Sequence, residues 1–78
     1  MTTLKRDINP MPADIRAALE ERGLMAAYDR RPAYQRNDYL GWIARAKLDE
    51  TRKKRLDQMF DELERGGVYM NMKWRGSR

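Results

Sequence analysis

Residues Tyr39 to Leu56 read YLGWIARAKLDETRKKRL and join the most apolar helical face of the chain to its densest run of positive charge. On a helix of about 100° per residue, Tyr39, Leu40, Trp42, Ile43 and Ala46 fall within roughly half the circumference. That arc is wider than the stripe of an ordinary surface helix, so it predicts a central helix covered from two sides. Lys47 falls on the same arc, one turn beyond Ile43. There its stem either lies along the core with the ammonium in water or faces a ligand. Asp49 is the expected N-cap of the next helix, with Glu50 in the first turn where the helix dipole favours a carboxylate.

The stripe of that next helix is Leu56, Met59, Phe60 and Leu63, spaced i, i+3, i+4, i+7. One turn back it lands on Arg52. An arginine in line with a core needs a carboxylate or several carbonyls, because an unpaired buried charge is costly. The expected partner lies in the first half of the chain. Arg55 sits at the edge of the stripe, and Lys54 points to solvent.

Upstream, Pro12 or Ala13 opens a first helix whose apolar face is Ile15, Ala18 and Leu19, and Gly23 stops it. A short second helix, Leu24 to Arg30, offers Leu24, Ala27 and Tyr28, and ends at Arg31-Pro32 because the residue before proline avoids the helical region. The central helix then runs from Pro32 or Ala33 to about Leu48, with Gly41 as a weak spot. The fourth helix runs from about Glu50 to Arg65 and closes at Gly66-Gly67. Beyond it, Val68, Met70, Met72 and Trp74 alternate with Tyr69, Asn71, Lys73 and Arg75, a strand-like period of two. A lone strand has no partner in a helical domain, so this segment is expected to lie extended and docked in part through Val68 and Met70.

The predicted fold is therefore all-α, a small orthogonal bundle of about four helices with an extended C-terminal tail. Residues 1–9 form a flexible lead-in, 10–67 the helical domain and 68–78 the tail. Trp42, Ile43, Leu40, Leu56, Phe60, Leu63, Leu19 and Ile15 are expected to be buried together as its core.

At 78 residues, with 41% hydrophobic and 37% charged side chains, the chain has room for one domain and a small core. It contains no cysteine and no histidine. Thiol and serine–histidine nucleophiles, zinc-finger ligation and cysteine redox chemistry all lack their residues. Asp57, Asp61, Glu62 and Glu64 crowd one helix without a cleft, and the pairs Glu50–Lys54 and Asp61–Arg65 read as a solvated, laced surface. There is no glycine-rich phosphate loop. No catalytic residue, metal site or cofactor is expected, and the chain is read as no enzyme. The longest apolar run, Leu24 to Tyr28, is far too short to cross a bilayer. Lys5 and Arg6 are followed by no apolar segment of signal-peptide type, so a cytoplasmic location is expected.

Trp42-Ile43, Ala46-Lys47, Thr51-Arg52 and Arg55-Leu56 spell W-I-x-x-A-K-x-x-x-T-R-x-x-R-L. This pattern resembles the signature of the YdeI or OmpD-associated bacteriocin-protection family. The resemblance begins at Met11-Pro12-Ala13-Asp14-Ile15, takes in Ala18-Leu19, ends near Leu63 and Gly66, and covers about two thirds of the chain. It implies a role in protection against bacteriocins and cationic antimicrobial peptides in association with a porin, with no reaction attached. It also offers the periplasm as the alternative location.

The net charge of +5 favours anionic partners. A basic protein repels cationic peptides, so protection would act through a protein partner or through a local acidic patch such as Asp57, Asp61 and Glu64. The alternative is nucleic-acid binding through Arg52, Lys53, Lys54 and Arg55 with Arg30, Arg31 and Arg36. Against it, these cations alternate with acids, and Asp49 and Glu50 occupy the helix start. The candidate binding residues are Lys47, Thr51, Arg52 and Arg55. Several donors around one turn either hold a carboxylate or phosphate of a partner, or pin the turn within the chain.

Overall fold

Pro12 is extended, and its carbonyl accepts the amides of Ile15 (3.2 Å) and Arg16 (3.1 Å), which starts α1 (Ala13–Glu21). Ile15 and Leu19, four residues apart, are its buried face, and Asp14 sits in the first turn where the dipole favours it. The helix ends in a Schellman arrangement. Gly23 takes a φ of +71°, Leu24 N–H donates to the Leu19 carbonyl (2.8 Å), and Gly23 N–H donates to that of Glu20 (3.1 Å). Leu19 and Leu24 then meet in the core, which turns the chain directly into α2 (Met25–Asp29).

Pro32 repeats the device of Pro12 and opens α3 (Ala33–Ala44), whose buried residues are Gln35, Tyr39, Leu40, Gly41 and Ile43. This helix is shorter than its periodicity predicts. It closes at Arg45, with Ala46 N–H turning back to the Ile43 carbonyl (3.2 Å). Lys47 therefore lies in the loop and is exposed, rather than on the apolar arc. Leu48, extended at ψ 146°, is the N-cap of α4 (Asp49–Arg65), and Asp49 is the first helical residue instead of the cap. Gly66 in the left-handed region ends α4.

The computed structural model describes residues 8–73. The expected lead-in up to Asp7 and the tail from Trp74 onward lie outside them. Asn9 is docked rather than free: its N–H donates to Asn37 Oδ1 (2.7 Å) and its Nδ2 to the Asn37 carbonyl (3.2 Å). Gly41 explains why it fits, since a Cβ there would stand 2.8 Å from Asn9 Nδ2. What looked like a weak point in α3 is the place where the N-terminal segment crosses it.

The extended tail is corrected to a hairpin. β1 (Val68–Tyr69) pairs antiparallel with β2 (Met72–Lys73), Val68 opposite Lys73 and Tyr69 opposite Met72. Met70 and Asn71 both have positive φ, 52° and 65°, as the two central residues of a type I′ turn require. The extended conformation is present, but burial does not alternate along it: Val68 and Tyr69 are both half-buried, Met72 and Lys73 both exposed, and the segment reverses on itself and so supplies its own partner. The fold is four helices and a small sheet, not purely helical.

Six of the eight expected core residues are buried: Ile15, Leu19, Leu40, Ile43, Phe60 and Leu63. They are joined by Leu24, Tyr28, Tyr39 and Met59. Trp42 and Leu56 are corrected to half-buried residues packed on the edge of this cluster. The helical arc of α3 is covered on one side by the core, and so small a domain has no second layer to cover Trp42.

Candidate functional site

The four cations and donors expected around the α3–α4 turn do not share one task. Arg52 reaches across to the start of α1, with Nη1 donating to Asp14 Oδ2 (3.1 Å) and Nη2 to Asp14 Oδ1 (3.3 Å). The two side chains are 33% and 63% exposed, so this fork lies at the surface and not inside the fold. Arg55 Nη1 donates to the Trp42 carbonyl (2.6 Å), and its guanidinium lies 5.2 Å from the centre of the Trp42 ring. That carbonyl belongs to the last turn of α3, where helical partners run out, because Ala46 N–H has gone to Ile43 instead. Arg55 thus caps the C-terminus of α3 with a cation, as the dipole favours. Thr51 is half-buried, and Lys47 stands exposed beside Leu48.

Replacing these two arginines should separate their roles. Arg55→Ala is expected to lower stability by about 2 kcal/mol, the scale of a hydrogen bond from a charged donor with a stacked ring. Arg52→Ala is expected to cost at most about 1 kcal/mol, as exposed ion pairs do. The Asp14 carboxyl is held below its ordinary value of 3.8 mainly by the Arg52 hydrogen bond; slight burial opposes this, and the arginine's charge adds to it. A lowered pKa in the folded state adds stability above the ordinary value and loses it as pH falls through the folded one. Urea midpoints should therefore show the Arg52→Ala deficit vanish in acid, while that of Arg55→Ala persists.

The most heavily bonded group is one the sequence reading left on the solvated face of α4. Glu62 is fully buried. Its Oε1 accepts from the Tyr39 hydroxyl and from Met70 N–H (2.8 Å). Its Oε2 accepts from Asn71 N–H (2.8 Å) and Gln58 Nε2 (3.0 Å). Its own carbonyl accepts from Gly66 N–H and from Arg31 Nη2, both at 2.9 Å. Arg31, also buried, donates through Nη1 to Gln35 Oε1 (3.0 Å), and Gln35 Nε2 to the Tyr34 hydroxyl (3.1 Å). Tyr69 stands edge-on to Tyr34 and Tyr39, at 6.0 and 5.5 Å, and its hydroxyl donates to Asp38 Oδ2 (2.7 Å).

Burial, then the hydrogen bond to Glu62 and its charge, push the Tyr39 hydroxyl well above the ordinary tyrosine range. It stays a donor at any working pH. With four donors on two oxygens, Glu62 has no lone pair left for a substrate proton. It is an anchor that fixes the hairpin turn by main-chain groups. The only cue in the sequence was its place beside Leu63, three residues after Met59, on the flank of the stripe. Two of its donors are backbone amides, which no side-chain pattern reveals.

On the outer face of α4, Lys53–Asp57 (3.1 Å) and Arg65–Asp61 (2.8 Å) are paired, the first in place of the expected Glu50–Lys54. Among the described residues, no group of three or more histidines, cysteines or acids is placed to hold a metal ion. No helix among them is long and apolar enough to cross a membrane.

These features define a small, mainly helical domain in which buried and half-buried charges pin one element to the next. Residues 10–66 match the OmdA family, described as bacteriocin-protection, YdeI or OmpD-associated, and the chain belongs to that family. No curated protein and no solved structure matches it.

Proposed function

We propose that this chain is a non-enzymatic helical interaction module that contributes to protection against bacteriocins or cationic antimicrobial peptides through a protein partner, in the cytoplasm. Family membership supports the biological role. The observation that carries the mode of action is the loop between α3 and α4. Leu48 is 62% exposed there, beside exposed Lys47 and Arg45. A large apolar side chain exposed between Lys47 and Asp49 is a contact point for a partner surface that is apolar with charges of both signs at its rim. The net charge of +5 argues against direct capture of cationic peptides.

Phosphate binding through residues 52–55 is the weaker reading, because Arg52, Lys53 and Arg55 are engaged within the chain. Phosphate-driven binding would weaken steeply with salt, so a salt titration against random duplex separates the two.

The experiment is a survival assay under a cationic peptide or bacteriocin challenge, with Lys47→Ala and Leu48→Ser combined. Both side chains are exposed, and serine is a good N-cap, so the variant is expected to melt with the wild type. It is expected to lose protection. Full protection by the folded double variant would remove this loop from the function.

A further inference from the structure

Where the C-terminal ends of α2 and α4 meet, a cleft of about 390 Å3 opens with Ala27 and Leu63 among its lining residues. Its size falls within the usual span of small-ligand sites, about 300–1,000 Å3. The cleft is open on one side and mostly polar, and a Cβ on Gly66 in its wall would meet nothing within 4 Å.

Three arginines, Arg30, Arg31 and Arg65, border this one cavity, and each is held differently. Arg31 is 4% exposed and fixed by its bonds to Gln35 Oε1 and the Glu62 carbonyl, so it sets a rigid positive charge in the wall. Arg65 is paired with Asp61 at 2.8 Å, with both side chains 56% exposed. Pairs so exposed are weak, and Arg65 can turn to a stronger acceptor. The Arg30 side chain is exposed and forms no hydrogen bond or ion pair among the described residues.

The helix ends oppose an anion here, since their last carbonyls carry partial negative charge. In α4 that effect is reduced, because the Glu62 carbonyl already accepts from Gly66 N–H and from Arg31. The Glu62 carboxylate is bonded to Tyr39, Gln58 and the hairpin amides. Asp61 is then the acid that competes for these arginines.

We propose that the cleft binds phosphate, either as the free ion or as the phosphate group of a small molecule. A tetrahedral dianion offers oxygens on several sides to arginines arriving from two helices, whereas a single guanidinium fork already fills the edge of a carboxylate. The site shares no residue with the α3–α4 loop or with residues 52–55, and does not depend on the roles assigned to them.

The test is a titration of the isotopically labelled protein with inorganic phosphate, glycerol 3-phosphate, acetate and chloride at matched ionic strength, followed by amide NMR shifts. Both phosphates are expected to give saturable shifts at Ala27, Leu63, Gly66 and Gly67, and acetate and chloride to give none. Tighter binding of the ester would make an organic phosphate the ligand, and equal binding the free ion. Arg30→Gln, on an exposed side chain, should weaken phosphate about tenfold, the equivalent of one charge-assisted hydrogen bond. Asp61→Asn should act in the opposite direction and tighten it severalfold, because it releases Arg65. Glu50→Gln makes the same change of net charge at the far end of α4 and should leave binding as it is. Shifts that saturate equally with acetate, or that rise without saturation with every salt, overturn the proposal. So does unchanged affinity in both Arg30→Gln and Asp61→Asn, or an equal gain from Glu50→Gln, which would reduce the effect to overall charge.

Discussion

Glu62→Ala is expected to produce the largest loss of stability of any single substitution in this chain, about 4 kcal/mol or more. The change strips acceptors from four donors at once: the Tyr39 hydroxyl, the Gln58 amide and the backbone N–H groups of Met70 and Asn71. The Tyr39 hydroxyl, whose bond is buried, finds no substitute in the core, and the two backbone groups hold a turn of positive φ that Met70 would not adopt unaided. In a domain of this size such a loss lowers the melting temperature by roughly 15–30 °C. Glu62→Gln keeps the shape but turns a donor toward donors. It should fold and yet lose amide-exchange protection at Met70 and Asn71 first. Protection there that matches wild type in the glutamine variant would show that the hairpin holds itself.

Leu19→Ala is expected to cost about 3–4 kcal/mol, as for a leucine at the centre of a close-packed core. Leu19 is fully buried, and it also receives the packing of Leu24 that completes the end of α1. Trp42→Ala should cost only about half as much, since Trp42 is half-buried, packed on the edge of the core with Arg55 over its ring. The comparison of urea midpoints is decisive in its order. A larger effect at Trp42 would put that ring back in the core, where its sequence position had placed it.

The elements of this fold that depend on neighbouring residues could be read from the sequence. Pro12 and Pro32 announce helix starts, Gly23 and Gly66 announce stops, and the Ile15–Leu19 and Met59–Phe60–Leu63 spacings mark the buried faces. Contacts between distant segments were less visible. Arg52 asked for a carboxylate in the first half and meets Asp14, yet the pair is exposed, because the stripe of α4 runs past the end of the core before it reaches residue 52. The hairpin was hidden because Met70-Asn71 lacks the glycine that marks a type I′ turn. The reason it forms is Glu62, eight residues away, which supplies in hydrogen bonds what the turn lacks in propensity. At the candidate site, exposure of Lys47 followed from α3 ending early, where Ala46 N–H turns to Ile43 and leaves the Trp42 carbonyl to Arg55, a contact between segments that the helical period does not show.

The grip of Glu62 on residues 70 and 71 has a bearing on where this domain ends. Family likeness stops at Gly66, but two of the four groups that satisfy the buried carboxylate come after it. At the other border, the Asn9 clamp precedes the first matched residue. A fragment trimmed to 10–66 would keep every helix and lose two of the four hydrogen bonds to the Glu62 side chain. The length of chain that the family shares and the length that the contacts of Asn9 and Glu62 tie together are therefore different.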